Sequence, residues 1–95
     1  MLLFEFDPRK AIANLRKHRV SFSEAITAFY DPFAQTFPDE FHSEEEQRFV
    51  TLGLSSSKRL LFISHQEDGD TIRIIGARRV TAAEKRAYED LKERS

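Results

Sequence analysis

Three short runs rich in β-branched and aromatic residues, at about 48–54, 59–65 and 71–78, follow one another with breaks too short to hold a crossover helix. The first break contains Ser55-Ser56-Ser57 and the second Asp68-Gly69-Asp70, both of them turn chemistry. Parallel neighbours need a connection of a dozen residues or more, so these runs predict an antiparallel meander. A meander must bury at least one face, and the flanking segments have to supply the cover.

Those segments carry helix signals. Asp7-Pro8 is a helix start, with Asp7 as N-cap and Pro8 where a missing N–H costs nothing. The helix is expected to reach about His18, burying Ala11, Ile12 and Leu15 and exposing Arg9, Lys10 and Arg16. Ser21 and Glu24 form a capping box, followed by Phe22, Ala25, Ile26 and Phe29 at i, i+3, i+4 and i+7. Asp31-Pro32 ends that helix, because a residue before Pro avoids helical geometry. Thr81 with Glu84 opens a last helix to about Arg94, with Val80, Ala83, Ala87 and Leu91 as its apolar stripe. Leu2–Phe6 alternates like a short strand and Phe33–Phe37 reads as another, while 38–47 is polar and aperiodic, a loop.

The predicted fold class is α+β: two N-terminal helices, an antiparallel sheet meander and a C-terminal helix, in a single domain over residues 1–95. The helices are expected mainly on one face, with Leu61, Ile63, Ile72 and Ile74 in the core beside Phe22, Ile26 and Phe29. Nine Phe supply much of the core bulk, and the chain has no Cys, which favours a reducing compartment. Met1–Asp7 lacks a basic n-region, and no apolar run approaches the roughly 20 residues that span a bilayer. The expectation is a cytoplasmic protein with no signal peptide and no membrane partner.

The net charge of −1 conceals segregation. Residues 31–47 hold six acids and no Lys or Arg, whereas 48–79 hold six Lys/Arg against three acids. A local basic surface on a neutral chain still attracts phosphates, although composition alone favours ordinary solvated charge.

Three groupings bear on chemistry. Glu84 and Tyr88 lie one helical turn apart, beside the apolar stripe, so Glu84 needs a cation, and Arg78 and Arg79 at the preceding strand end are nearest. That pairing reads as a site or as a structural ion pair. Strict alternation puts Ile72, Ile74, Gly76 and Arg78 on one strand face and Arg73, Ile75 and Ala77 on the other, with Gly76 as a cleft floor or a bulge. Lys17-His18-Arg19 either compensates a helix dipole or binds phosphate. The three His (18, 42 and 65) match no metal-ligand spacing, and Gly-rich phosphate loops and nucleophile elbows are absent. No metal and no cofactor are expected.

The order of several stretches resembles the BrnT-type toxin family. They are Phe4-Glu5-Phe6-Asp7, Lys10, Asn14, Lys17-His18, Val20-Ser21-Phe22, Asp31-Pro32, Arg48-Phe49, Gly53, Arg73-Ile74-Ile75, Ala77-Arg78-Arg79, Glu84 and Tyr88. Arg19 stands where Gly is expected, Phe6 where Trp is common, and Gly76 where Ser is usual. The resemblance implies a RelE-like fold and a ribonuclease toxin of a type II toxin–antitoxin pair. It implies a cognate ribbon-helix-helix antitoxin, and a homodimer or a toxin–antitoxin heterotetramer. Metal-free RNA cleavage needs a base for the ribose 2′-OH, cations for the phosphorane and an acid for the leaving oxygen. On that footing Arg78, Glu84, Tyr88 and His18 are the expected catalytic residues, and Lys17, Arg73, Arg48 and Arg79 the RNA-phosphate binders. Lys17, Arg73 and Arg78 are expected to converge on one concave surface, with the acidic 38–47 segment lying away from it. The rival reading is a non-catalytic antitoxin- or nucleic-acid-binding domain of the same fold.

Overall fold

The computed structural model describes residues 1–42 and 47–95. Along the chain run β1 (Leu3–Phe6), α1 (Pro8–His18), α2 (Phe22–Ala28), β2 (Gln35–Pro38), a single 3₁₀ turn (Glu40–His42), β3 (Arg48–Leu54), β4 (Leu60–Asp68), β5 (Thr71–Arg79) and α3 (Ala82–Glu93). Each helix start follows its expected cap: Asp7 accepts from the Arg9 N–H, Ser21 from the Glu24 N–H, and Thr81 forms a reciprocal box with Glu84.

The five strands form one sheet in the order β1-β5-β4-β3-β2. β3, β4 and β5 are the expected antiparallel meander, and β2 adds to its edge, starting two residues and ending one residue later than the 33–37 expectation. β1 departs from a wholly antiparallel sheet, because it pairs with β5 in parallel. Short-range turn chemistry reports only on strands joined by turns, and β1 reaches β5 from the far end of the chain. Part of the loop expected at 38–47 lies outside the described residues, and its first part is the end of β2 and the 3₁₀ turn.

β5 also departs from strict alternation. Ser64 pairs with Gly76 but His65 pairs with Ile74, so Ile75 is the extra residue of a β-bulge. The bulge shifts every later side chain of β5 to the other face. Ile72, Ile74 and Ala77 therefore share a core with α2, while Arg73, Gly76 and Arg78 share the opposite face. Beyond Phe6 no strand among the described residues pairs with this edge of β5, and Asn14 of α1 takes that place. Its amide donates to the Ala77 carbonyl at 2.8 Å and accepts from the Ala77 N–H at 3.0 Å.

The larger core joins Val20, Phe22, Ala25 and Ala28 to Leu61, Ile63, Ile72, Ile74 and Ala77, with Ile26 and Phe29 packed against it. Gly53 lets α2 lie directly on β3, since a Cβ there would collide with the Ala28 carbonyl oxygen. The helices do not share one face: α3 packs on the other side of the sheet, where Tyr88 meets Val50, Leu52 and Phe62. The stripe expected on α3 is displaced accordingly. Tyr88 is its buried residue, while Ala83, Ala87 and Leu91 are exposed, because capping by Glu84 and the short link from β5 set the rotation of the helix. On α1, Ile12 is 57% and Leu15 48% exposed, against the expectation that they are buried, because Asn14 rather than the apolar stripe faces the sheet edge. Arg19 takes the left-handed conformation (φ 59°) at the helix end, the position where the resemblance places Gly.

Candidate active site on the open sheet face

Register brings the arginines together. Arg48, Gln66 and Arg73 lie side by side across β3, β4 and β5, and Arg78 pairs with Phe62 on the same face. Four β4 residues separate the Gln66 and Phe62 positions, about 13 Å at strand rise. The bulge at Ile75 is what makes this possible, since residues 73 and 78 would otherwise point to opposite faces.

Arg78 is held from several sides. Its guanidinium lies 3.9 Å from the centroid of the Phe62 ring. Its Nη1 and Nη2 donate to Glu84 Oε1 and Oε2 at 2.8 and 3.0 Å, and Nη1 also donates to the Arg79 carbonyl at 3.1 Å. A planar fork on a carboxylate, stacked on an aromatic face, is geometry that Lys does not reproduce. Glu84 also accepts the Thr81 N–H at 2.8 Å, so its carboxylate is fully engaged. The Arg78 hydrogen bonds hold its carboxyl below the ordinary carboxylate range, with the Thr81 backbone helping and burial opposing. An ionised, three-donor carboxylate is a poor proton acceptor and a good orienter.

Arg73 bonds Glu5 at 3.1 Å and shares a depression with Glu67 and Asp68, so its charge is locally offset. Arg79 points to the opposite side of the sheet from Arg78, since it pairs with Leu61, and joins Lys58, Arg59 and Lys85 around a groove beside α3. Lys17 and His18 occupy the last turn of α1, which Asn14 anchors at the β5 edge. Among the described residues no hydrogen bond or ion pair joins either to Arg78 or Glu84. Arg73 and Arg78 thus share a face.

Tyr88 lies apart. It is buried, and its hydroxyl donates to Asp31 Oδ2 at 2.5 Å. Burial first, and the Asp31 carboxylate second, push the phenol well above its ordinary range. Asp31 is a structural hub that sequence reading assigned only to a helix end: it also accepts from the Phe33 and Leu54 N–H groups at 2.9 and 2.8 Å. Burial raises its carboxyl, but these three bonds outweigh it and leave the group below its usual value.

A cavity of about 410 Å³ adjoins Arg78 and Glu84 and is lined on its other side by Phe37, Pro38, Asp39, Glu40 and Phe41. The described part of the acidic segment therefore flanks the Arg78 surface, contrary to the expectation that it lies away; residues 43–46 are outside the described residues. The sheet-edge pairing of β2 with β3 brings this segment over Val50 and beside Arg78, a contact no local pattern announces. Among the described residues no group of three or more His, Asp or Glu is arranged to hold a metal ion, and no helix is long and apolar enough to cross a membrane.

A family model described as the ribonuclease toxin BrnT of type II toxin–antitoxin systems matches residues 6–84. Among solved structures, the chain is similar to the crystal structure of the Brucella abortus ribonuclease toxin BrnT, with a TM-score of 0.65 and 17% identity over 85% of this chain and 99% of that one. That likeness shows a shared fold. No curated protein matches the chain.

Proposed function

Because the chain belongs to the BrnT family of ribonuclease toxins of type II toxin–antitoxin systems, we propose that it cuts RNA without a metal and that Arg78 carries the charge stabilisation. The ribose 2′-oxygen attacks the adjacent phosphorus, the P–O5′ bond breaks, and a cyclic phosphate and a free 5′-hydroxyl result. The supporting observation is the Arg78 guanidinium, held by two oxygens of Glu84 and by the Phe62 face at the margin of an open cavity. A donor fixed in advance stabilises the phosphorane without reorganising during the reaction.

The other residues take graded parts. Glu84 positions Arg78. Arg73 and Arg48 extend the same face along the RNA backbone, and Lys17 adds charge from the last turn of α1. Arg79, facing away from Arg78 at the end of β5, serves the groove that it lines with Lys85 of α3. His18 is the proton carrier, since imidazole is the side chain suited both to take and to give a proton near neutral pH; Asn14 places its helix at the β5 edge, near the Ala77 anchor. Tyr88 holds α3 to Asp31. An antitoxin partner follows from membership of the family. We further propose that it is of ribbon-helix-helix type, that the pair assembles in the cytoplasm as a heterotetramer, and that residues 1–95 act as one toxin domain.

One observation favours the binding-only rival: Glu84, the carboxylate beside Arg78, is consumed by three donors. Cleavage of end-labelled RNA in EDTA separates the two. Metal-free cutting that leaves cyclic phosphate ends, and that disappears in Arg78→Ala and His18→Ala, supports the enzyme. RNA binding without cutting supports the rival, and cutting that needs a divalent cation refutes the metal-free mechanism.

A further inference from the structure

Resting on the reading of Arg78 as the phosphate-binding group, we infer that the adjoining cavity is a nucleobase subsite, in which Phe37 and Phe41 clasp one unpaired base of single-stranded RNA. Phe37 is 42% and Phe41 91% exposed, although large rings normally belong in a core. Scattered exposed apolar residues need no explanation, but these two line the same cavity as Arg78 and Glu84. Among the described residues neither ring stacks on another aromatic side chain; the ring contacts involve Phe4, Phe6, Phe22, Phe29, Tyr30, Phe49 and His65. The Phe62 face is already covered by Arg78, so Phe37 and Phe41 are the open rings.

Backbone geometry holds Phe37 in place. Phe37 pairs with Val50 and Pro38 with Phe49, so the first ring rises from a paired strand whose next residue has a locked φ. A base is the occupant that fits this continuity. Its phosphate falls to Arg78, its flanking backbone follows the face of Arg73, and its ring enters the aromatic slot. Every base has a π-face, so stacking alone is sequence-tolerant. Glu40 lines the same cavity and its carboxylate only accepts hydrogen bonds, so it can take an N–H donor from the exposed edge of the bound base.

The test uses the full chain and a short single-stranded RNA carrying 2-aminopurine, with a 2′-O-methyl block for binding and none for cleavage. An otherwise identical RNA with an abasic site at the cut position is the control. Phe37→Ala and Phe41→Ala should each weaken binding and raise KM roughly tenfold to a hundredfold. The change in 2-aminopurine fluorescence on binding should be lost, melting temperatures should stay at the parent value, and Phe→Tyr at either site should restore binding. The abasic RNA should bind parent and alanine variants equally. If the parent cuts RNA and both alanine variants match it in affinity, KM and fluorescence, the subsite is overturned while the Arg78 reading stands. The subsite is equally overturned if these variants lose the antitoxin but keep RNA affinity, since the face then belongs to the protein partner. If Arg78→Ala changes neither binding nor cleavage, both readings fall.

Discussion

Replacing Glu84 by Gln keeps the shape of the side chain and removes its charge. Glu84 accepts three hydrogen bonds, two from Arg78 and one from the Thr81 N–H, at 2.8–3.0 Å. A Gln oxygen keeps the Thr81 cap, while its NH₂ turns a donor toward the guanidinium. The loss is then the Arg78 pair alone. Hydrogen bonds to charged groups contribute about 1.5–3 kcal/mol, and side chains 34% and 23% exposed belong at the low end of that range. The expected cost is about 1.5 kcal/mol, or a fall of roughly 6–12 °C in Tm for a chain of this size. If Glu84 works by orienting Arg78, cleavage per folded molecule should also fall, by roughly tenfold to a hundredfold. Arg78→Ala should cost about a hundredfold to a thousandfold. The double variant then discriminates. A residue that acts only through Arg78 should add nothing once Arg78 is gone, so Glu84→Gln in the Arg78→Ala background should leave the rate unchanged. The assay is single-turnover cleavage of labelled RNA in EDTA, with thermal melts of each variant. A lowered Tm with full activity per folded molecule would show a structural ion pair and nothing more. A further rate loss in the double variant would give Glu84 a proton-transfer role and refute the orienting one.

Tyr88→Phe removes a hydrogen bond to a carboxylate and should cost about 1.5–3 kcal/mol in urea unfolding, while the cleavage rate of folded protein holds; a steep rate loss at unchanged stability would return Tyr88 to the chemistry. His65 is fully buried, its Nε2 2.7 Å from Thr51 Oγ1, and burial pushes its pKa down to about 4. The unfolded chain takes up this proton near 6.5 and the fold does not, so stability should be full above pH 6.5 and decline as pH falls toward 4, by about 3 kcal/mol. Urea titrations from pH 7.5 to 4 would measure this, and an equal slope in His65→Phe would refute it. Glu24, Asp31 and Glu84, all held below their ordinary values, should add a second decline below pH 4.5.

What the sequence determined was local. Asp7, Ser21 and Thr81 start the three helices because a cap and its N–H partner lie within three residues of each other. The turns after Leu54 and Asp68 joined neighbouring strands, and short links leave an antiparallel meander as the only outcome. The Arg78–Glu84 pair was also within reach, six residues apart across a strand end and a cap. Tertiary structure alone decided the rest. One extra residue at Ile75 reverses the facing of everything after it in β5, and alternation read from sequence has no means of detecting a bulge. Placement of β1 beside β5, Asn14 on the Ala77 backbone, and Tyr88 on Asp31 joins residues 57 to 68 positions apart, where no local signal operates. The same holds for Phe37, expected at the end of a short strand, and Phe41, expected in a loop, which line one cavity with Arg78 only once β2 pairs with β3. Caps and turns are settled by bonds within one turn of chain, whereas which face a side chain occupies depends on register against a distant strand.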